Sequence, residues 1–132
     1  MSTMYYWERF YKMNIYIFME IKRRELSSRM LLAFEAAFRG NDVYIGDLES
    51  YFKRNLFKPG LVHFKSLSPT KNRLLQLKNF KSKNFICTSQ DEESGHINDN
   101  LKEYVHSRYN KESIKYVDAI FTWGKLDYDN LK

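Results

Sequence analysis

The amino-acid sequence predicts an α/β domain, and two observations support that prediction. First, 132 residues with 43% hydrophobic content are enough for one compact core and too few for two ordinary domains. Second, short β-branched and aromatic runs alternate along the chain with segments whose apolar residues recur at helical spacing. Repeated βα units of this length imply a mostly parallel sheet covered by helices on both faces. We therefore expect a three-layer, Rossmann-like domain with about five strands.

The first βα unit is clearly marked. Residues 14–19 (NIYIFM) form a run of strand length, and helical spacing follows over residues 30–38. Ser27 or Ser28 can cap the start of that helix, and Gly40 supplies the left-handed residue that commonly ends one. The apolar residues at helical spacing are Met30, Ala33, Phe34, Ala37 and Phe38.

The alternation continues to the end of the chain. Further strands are predicted at residues 42–45, 61–64, 84–88 and 119–122, and further helices at residues 48–55, 71–80, 97–104 and 111–117. Residues 1–12 are interpreted as an N-terminal extension, and residues 13–124 as the domain itself.

Function is expected in the segments that follow the strands, because ligands of such sheets bind beyond the carboxyl ends of the strands. The segment after the first strand, EIKRRELSSR (residues 20–29), mixes carboxylates with basic side chains next to a helix start. That combination suits a polar, hydroxylated or anionic ligand. An internal ion-pair network that orders the segment explains the same residues equally well.

Two later segments offer related chemistry. KSLSPTK (residues 65–71) brings two lysines and two serine hydroxyls to a helix start, which favours anions, although Ser68 or Thr70 could serve there as an ordinary cap. Asp91, Glu92 and Glu93 follow the fourth strand, and clustered acids suit general-base catalysis because mutual repulsion raises a pKa. A solvated acidic loop is the simpler alternative.

Several function classes lack their motifs. The chain has no G-x-G-x-x-G and no G-x-x-x-x-G-K-[ST], so nicotinamide dehydrogenases and phosphate-loop NTPases are not supported. The three histidines and Cys87 show no paired ligand spacing, so no metal site is predicted, and Cys87 is expected to be a small buried thiol. The net charge of +6 is spread along the chain, with the basic residues at 71–83 interpreted as a solvated helix face, so no nucleic-acid site is predicted. No apolar run approaches the roughly 20 residues of a membrane helix.

Several segments together resemble a known family. EIKRRELSSRMLLAFEAAFRGNDVYIG, KSLSPTKNRLLQLK, DEESG and YVDAIFTWG are similar, in order and spacing, to the amino-terminal part of the bacterial surface carbohydrate (surface polysaccharide) biosynthesis proteins. The resemblance runs from about residue 14 to the end of the chain. It implies a relative of GT-B-type glycosyltransferases, which have two facing Rossmann-like domains, the first serving the acceptor and the second the activated sugar.

The resemblance also implies roles for particular residues. Glu92 or Glu93 would be the base that activates an acceptor hydroxyl. The implied substrate-binding residues are Glu20, Lys22, Arg24, Glu25, Ser28, Arg29, Lys65, Ser66, Ser68, Lys71 and Asp91.

The same resemblance sets the expected partners. They are a glycan acceptor, a nucleotide sugar in a full-length form, and a second Rossmann-like domain in cis or in trans; no cofactor is expected. Residues 125–132 would begin the connection to that second domain, so this part alone would bind weakly or catalyse nothing. A cytoplasmic location in capsule or lipopolysaccharide synthesis follows, with association at the inner face of the membrane left open. A non-catalytic binding or regulatory module on the same scaffold is the alternative.

Overall fold

The computed structural model describes residues 12–54, 58–91 and 101–131. Its five strands are β1 (Asn14–Phe18), β2 (Asp42–Gly46), β3 (Leu61–Phe64), β4 (Ile86–Gln90) and β5 (Ala119–Phe121). The helices are α1 (Lys22–Phe38), α2 (Leu48–Arg54), α3 (Lys71–Ser82), α4 (Leu101–Arg108), α5 (Lys111–Ile114) and α6 (Lys125–Leu131). All strand pairs are parallel, and the strand order is β2-β1-β3-β4-β5. The predicted α/β class with a parallel sheet flanked by helices is therefore confirmed.

The prediction for the start of α1 was wrong. The helix begins at Lys22, and neither Ser27 nor Ser28 caps it; the residue at the cap position is Ile21, which makes no side-chain cap hydrogen bond. The carboxylate of Glu25 performs a related task, since its Oε2 accepts a hydrogen bond from the backbone N–H of Glu20 at 2.8 Å. The charged segment therefore forms the first two turns of α1 and is not a loop.

Two glycines are required by the backbone. Gly40 follows the C-cap of α1 with φ of 91°, and its N–H donates to the carbonyl of Ala37 while the N–H of Asn41 donates to that of Ala36. This is the left-handed helix end expected from the sequence. Gly60, just before β3, lies against β1, and a Cβ at this position would be 2.1 Å from the carbonyl oxygen of Asn14. Only glycine allows these two strands to approach at that point.

The core lies between the sheet and α3. Alternate residues of β1, β3 and β4 face this side, as the period of two along a strand requires. They pack with the buried residues of α3 and α4. The buried cluster consists of Tyr16, Phe18, Val62, Phe64, Leu67, Leu77, Phe80, Phe85, Cys87, Val105 and Tyr109.

Helix α1 covers the opposite side of the sheet, but its apolar residues do not all face inward. Its buried residues are Glu25, Arg29 and Ala33. Phe34 and Phe38, which helical spacing groups with Ala33, are 70% and 80% exposed. The inner face of α1 is thus formed by small and charged side chains.

In the part of the chain that the structure describes, no helix has the length and apolar character needed to cross a membrane. Residues 1–11 of the predicted N-terminal extension and residues 97–100 of the predicted fourth helix lie outside that part.

Candidate functional site

The strand order creates a crevice at a defined place. From β1 the chain moves to β2 on one side of β1 and then to β3 on its other side. The carboxyl ends of β1 and β3 therefore lie side by side with their following helices leaving in different directions, which is where open α/β sheets bind ligands.

A cleft of about 650 Å³ occupies this position. Its floor is formed by Phe18 and Phe64, the last residues of β1 and β3. Polar side chains from the segment after β1, from the start of α2 and from the first turns of α3 surround the floor. The lining residues are Phe18, Met19, Glu20, Asp47, Leu48, Glu49, Phe64, Lys65, Asn72, Arg73 and Gln76.

Lys65 joins the segment after β1 to the segment after β3. Its Nζ lies 2.8 Å from Oε2 of Glu20 and 3.1 Å from Oε1 of Glu25. The Glu25 side chain is 3% exposed and that of Lys65 is 13% exposed, whereas 59% of the Glu20 side chain reaches solvent. The internal ion-pair network that the sequence analysis gave as an alternative is therefore present, and Glu20 is its most exposed member.

Arg73 was not predicted to belong to the site. The sequence places it on a solvated helix face, but its side chain is only 12% exposed. Its guanidinium lies over the Phe64 ring at 5.0 Å from the centroid, donates from Nη1 to Oε1 of Gln76 at 2.9 Å, and has Nη2 3.5 Å from Oε1 of Glu20. Its position in the first turn of α3, beside Lys65 at the carboxyl edge, is the signal that could have identified it.

The electrostatics of this network keep its groups charged and paired. Burial alone would raise the pKa of Glu25, but the hydrogen bonds from the Glu20 N–H and from Lys65 outweigh it and leave that pKa below its usual value. Burial would lower the pKa of Lys65, but the two carboxylates raise it. Burial lowers the pKa of Arg73, and Glu20 opposes that effect.

The other predicted substrate-binding residues of α1 and of the segment after β3 have different surroundings. Arg29 is buried in α1, and the Ser28 hydroxyl donates to the carbonyl of Glu25 at 3.0 Å. Ser66 is buried, with its hydroxyl 3.0 Å from that of Ser68. Among the described residues predicted to bind substrate, Glu20 and Lys65 line the cleft.

The cap of α3 was anticipated in part. Thr70 is the cap residue, and its Oγ1 accepts a hydrogen bond from the N–H of Arg73 at 3.1 Å. This agrees with the alternative in which Ser68 or Thr70 serves as an ordinary helix cap. Lys22, Arg24 and Lys71 have exposed side chains on the first turns of α1 and α3, and Nη2 of Arg24 is 3.6 Å from Oε1 of Glu25.

Asp91 lies apart from this cleft, after β4, and its carboxylate is engaged. It is buried, with Oδ2 2.6 Å from Nε of Arg108 and Oδ1 2.6 Å from Nη2 of the same side chain. Its backbone carbonyl accepts from Nε1 of Trp123. Asp91 therefore connects the end of β4 to α4 through Arg108 and to the segment after β5 through Trp123. Glu92 and Glu93 lie outside the described residues, so their catalytic role stays a prediction.

Sequence reasoning also missed acidic and amide side chains on the α2 and α3 side of the cleft. Asp47 caps α2 through Oδ1, which accepts from the N–H of Ser50 at 2.8 Å. Glu49, Asn72 and Gln76 complete that wall. Carboxylate and amide oxygens accept hydrogen bonds from hydroxyl groups. The arrangement can therefore hold a molecule that carries several hydroxyls.

Comparison of the chain with protein-family models, curated proteins and solved structures found no match. Among the described residues, no group of three or more histidine, cysteine, aspartate or glutamate side chains is placed to hold a metal ion.

Proposed function

We propose that this chain is the acceptor-side, amino-terminal domain of a glycosyltransferase-like protein of bacterial surface polysaccharide biosynthesis, and that the cleft between β1 and β3 binds the glycan acceptor. One observation carries the proposal. Two segments that resemble the signatures of that family meet at a single ion-pair network, where Lys65 contacts Glu20 and also Glu25, 40 positions away. That network borders the crevice in which sheets of this topology bind ligands.

The lining favours a neutral, polyhydroxylated ligand over a phosphate. Lys65 and Arg73, the cationic lining residues, already lie against Glu20. Asp47 and Glu49 add further negative charge to the same wall. An incoming anion would have to displace a paired carboxylate, whereas sugar hydroxyls can donate to these oxygens without that cost.

The catalytic part of the proposal depends on residues and partners beyond this cleft. Glu92 or Glu93 would accept the proton of the acceptor hydroxyl. A second Rossmann-like domain would bind the nucleotide sugar and close the cleft, since transfer requires both substrates to be oriented with water excluded. The isolated chain is therefore expected to bind its acceptor weakly and to transfer nothing.

The test is an NMR titration of the ¹⁵N-labelled chain with methyl glycosides, with inorganic phosphate as a separate arm. We expect glycoside binding with a Kd of about 1 mM, and chemical-shift changes at the carboxyl ends of β1 and β3. Asn72→Ala, which removes an exposed amide from the wall, should raise the Kd about tenfold, equivalent to about 1.4 kcal/mol. Asn79→Ala, two turns further along α3, is the matched control and should leave the Kd unchanged.

Shift changes confined to another surface would contradict the proposal, as would phosphate binding at this cleft that excludes glycosides. Glycoside binding that is equally weakened by Asn79→Ala would place the site elsewhere.

A non-catalytic binding module is the second candidate, and the surroundings of Asp91 favour it. Asp91 is the described member of the predicted acidic cluster, and its buried carboxylate is paired with Arg108 away from the cleft. Release of nucleoside diphosphate from a nucleotide sugar, measured with the chain together with the proposed second Rossmann-like domain and a bound glycoside, separates the two. Sustained release that depends on the glycoside supports a transferase, and its absence with glycoside binding intact supports the module.

A further inference from the structure

Helix α1 carries an apolar stripe on the side that faces away from the sheet. Leu31, Phe34 and Phe38 are 73%, 70% and 80% exposed. At about 100° per residue, the stripe lies about 180° around the helix from the buried face formed by Glu25, Arg29 and Ala33. Amphipathic surface helices place polar residues at these positions.

The stripe is a continuous surface and not a set of isolated side chains. Its residues follow the spacing i, i+3, i+7, and the rings of Phe34 and Phe38 stack with centroids 6.5 Å apart and planes 16° apart. Met30, half exposed, borders it. A contiguous exposed apolar patch of this kind is typical of an interaction site.

We propose that a second copy of this chain covers the stripe, with the two α1 helices packed antiparallel about a two-fold axis at Phe34. The spacing is that of a helix-packing seam, in which apolar residues three and four apart meet a neighbouring helix. A two-fold contact uses the same patch on both copies and closes without leaving a new exposed edge. In this arrangement Phe34 meets Phe34, and Leu31 of one copy meets Phe38 of the other.

The available area fits a weak dimer. Aromatic side chains bury about 150–250 Å² each, so the stripe with Met30 offers about 500 Å² per copy and about 1,000 Å² in total. This total is at the low end for specific interfaces, which implies a Kd in the micromolar range.

The charges around the stripe favour a protein partner over an anionic membrane. Glu35 and Arg39 lie beside it, are both about half exposed, and pair with each other at 2.7 Å. Such a pair suits the polar rim of a protein interface. An exposed carboxylate beside the apolar residues opposes insertion among anionic lipids.

The cleft stays accessible in this dimer, because its α2 and α3 wall lies across the sheet from α1. A failed test of the dimer would therefore leave the proposed function untouched, and a failed test of the proposed function would leave the dimer untouched.

Sedimentation velocity of the whole chain between about 1 and 200 µM tests the association. The wild type should form dimers with a micromolar Kd, and Phe34→Ser should raise that Kd at least tenfold. Leu75→Ser is the matched control, since Leu75 is a 64% exposed apolar residue on α3, and it should dimerise like the wild type. Circular dichroism of dilute samples should show the same folded spectrum for all three proteins.

Cysteine cross-linking tests the geometry. Under mild oxidation Phe34→Cys should form a disulfide-linked dimer, because a residue on the two-fold axis faces itself. Leu31→Cys alone and Phe38→Cys alone should cross-link slowly, and their mixture should cross-link quickly. Cys87 is buried and does not compete.

A chain that stays monomeric over this range would overturn the proposal. So would a dimer that Phe34→Ser does not weaken, or fast self-linking of Leu31→Cys, which would indicate a different packing. A monomer that co-sediments with phosphatidylglycerol vesicles through Phe34 would assign the stripe to a membrane instead.

Discussion

The two faces of the sheet are built in opposite ways. On the α3 side eleven of the residues that the structure describes form one buried cluster, and aromatic rings such as Phe64, Phe80 and Phe85 pack edge to face within it. On the α1 side the buried residues include Glu25, Arg29 and His63, while Phe34 and Phe38 point to solvent. The α3 side buries mainly apolar groups, whereas the α1 side buries polar and charged groups beside Ile17 and exposes several apolar side chains.

The two faces of the sheet therefore contribute differently to the stability of the fold and to contacts with other proteins. Burial of aromatic surface supplies most of the free energy of folding in a domain of this size. The α1 side gains little from its apolar residues as long as they are exposed, and its buried charges need partners to be tolerated. We infer that the α3 side holds the fold together and borders the ligand cleft, and that the outer face of α1 serves contacts with another protein chain.

The largest expected effect comes from truncating one phenylalanine on each side. Phe80 is 1% exposed and its ring contacts those of Phe18, Phe64 and Phe85, so Phe80→Ala should lower the free energy of unfolding by about 3–5 kcal/mol. Phe34→Ala should change it by less than about 0.5 kcal/mol, because the ring is already exposed. Urea unfolding at low micromolar protein concentration measures both. Equal losses would show that α1 is packed more tightly than its exposure indicates.

His63 makes the α1 side sensitive to pH. Its Nδ1 lies 2.9 Å from Oγ1 of Thr88, and burial, assisted by the charge of Arg29, lowers its pKa from 6.5 to about 4. Between these values the unfolded chain binds the proton more readily than the folded one, so stability is complete above pH 6.5 and falls as the pH decreases. The loss between pH 7 and pH 5 should be about 2 kcal/mol.

Urea unfolding of His63→Gln provides the control for this window. The variant should be less stable at pH 7 but should lose much less stability between pH 7 and pH 5. The same slope in wild type and variant would assign the pH dependence to another group.

A smaller effect distinguishes the two carboxylates that contact Lys65. Glu25→Gln should cost about 1–2 kcal/mol at pH 7, because a buried ammonium loses one of its partners. Glu20→Gln should cost less than about 1 kcal/mol, since its side chain is more than half exposed. Thermal denaturation measures both differences.

The pH dependence of the Glu25→Gln effect has a definite sign. The pKa of Glu25 is lowered in the fold, so its contribution is complete above the ordinary glutamate value of 4.5 and disappears as the pH falls through the lower, folded value. The difference between wild type and Glu25→Gln should therefore shrink in acid. A difference that persists unchanged well below pH 4 would mean that the carboxylate charge is not its cause.

The parts of the fold that the sequence predicted are those set by local periodicity. Alternation of strand and helix patterns was sufficient for the parallel sheet, and Gly40 for the end of α1, because these features depend on neighbouring residues. The start of α1 was missed because Glu25 satisfies the amide of Glu20 from inside the helix, and a residue at that position is not a usual cap. Helical spacing grouped Phe34 with Ala33, but such spacing shows only that residues lie near one another on a helix and not which face meets the core.

For the site, the sequence predicted that polar segments follow β1 and β3 at the same edge of the sheet. It did not predict which side chains contact each other there. Glu20, Glu25 and Lys65 converge because they follow adjacent parallel strands, and that follows from topology. The burial of Arg73 over Phe64 and the engagement of Asp91 by Arg108 are tertiary contacts between distant residues. No spacing within the chain encodes them, so the sequence could not separate Asp91 from its acidic neighbours.

The smallest effect compares neighbouring residues of β4 that face opposite ways. Cys87 belongs to the buried cluster, and burial raises the pKa of its thiol to about 11, so Ellman's reagent at pH 8 should not label it in the folded chain and should label it fully in urea. Ile86 is 40% exposed on the α1 side, and a thiol placed there by Ile86→Cys in a Cys87→Ala background should react readily while the chain stays folded. Rapid labelling of Cys87 without denaturant would mean that the α3 side opens locally and is not the firmer of the two faces. Protection of both thiols would mean instead that the sheet is covered at Ile86, which the proposed dimer does not do, because its contact lies on the outer face of α1.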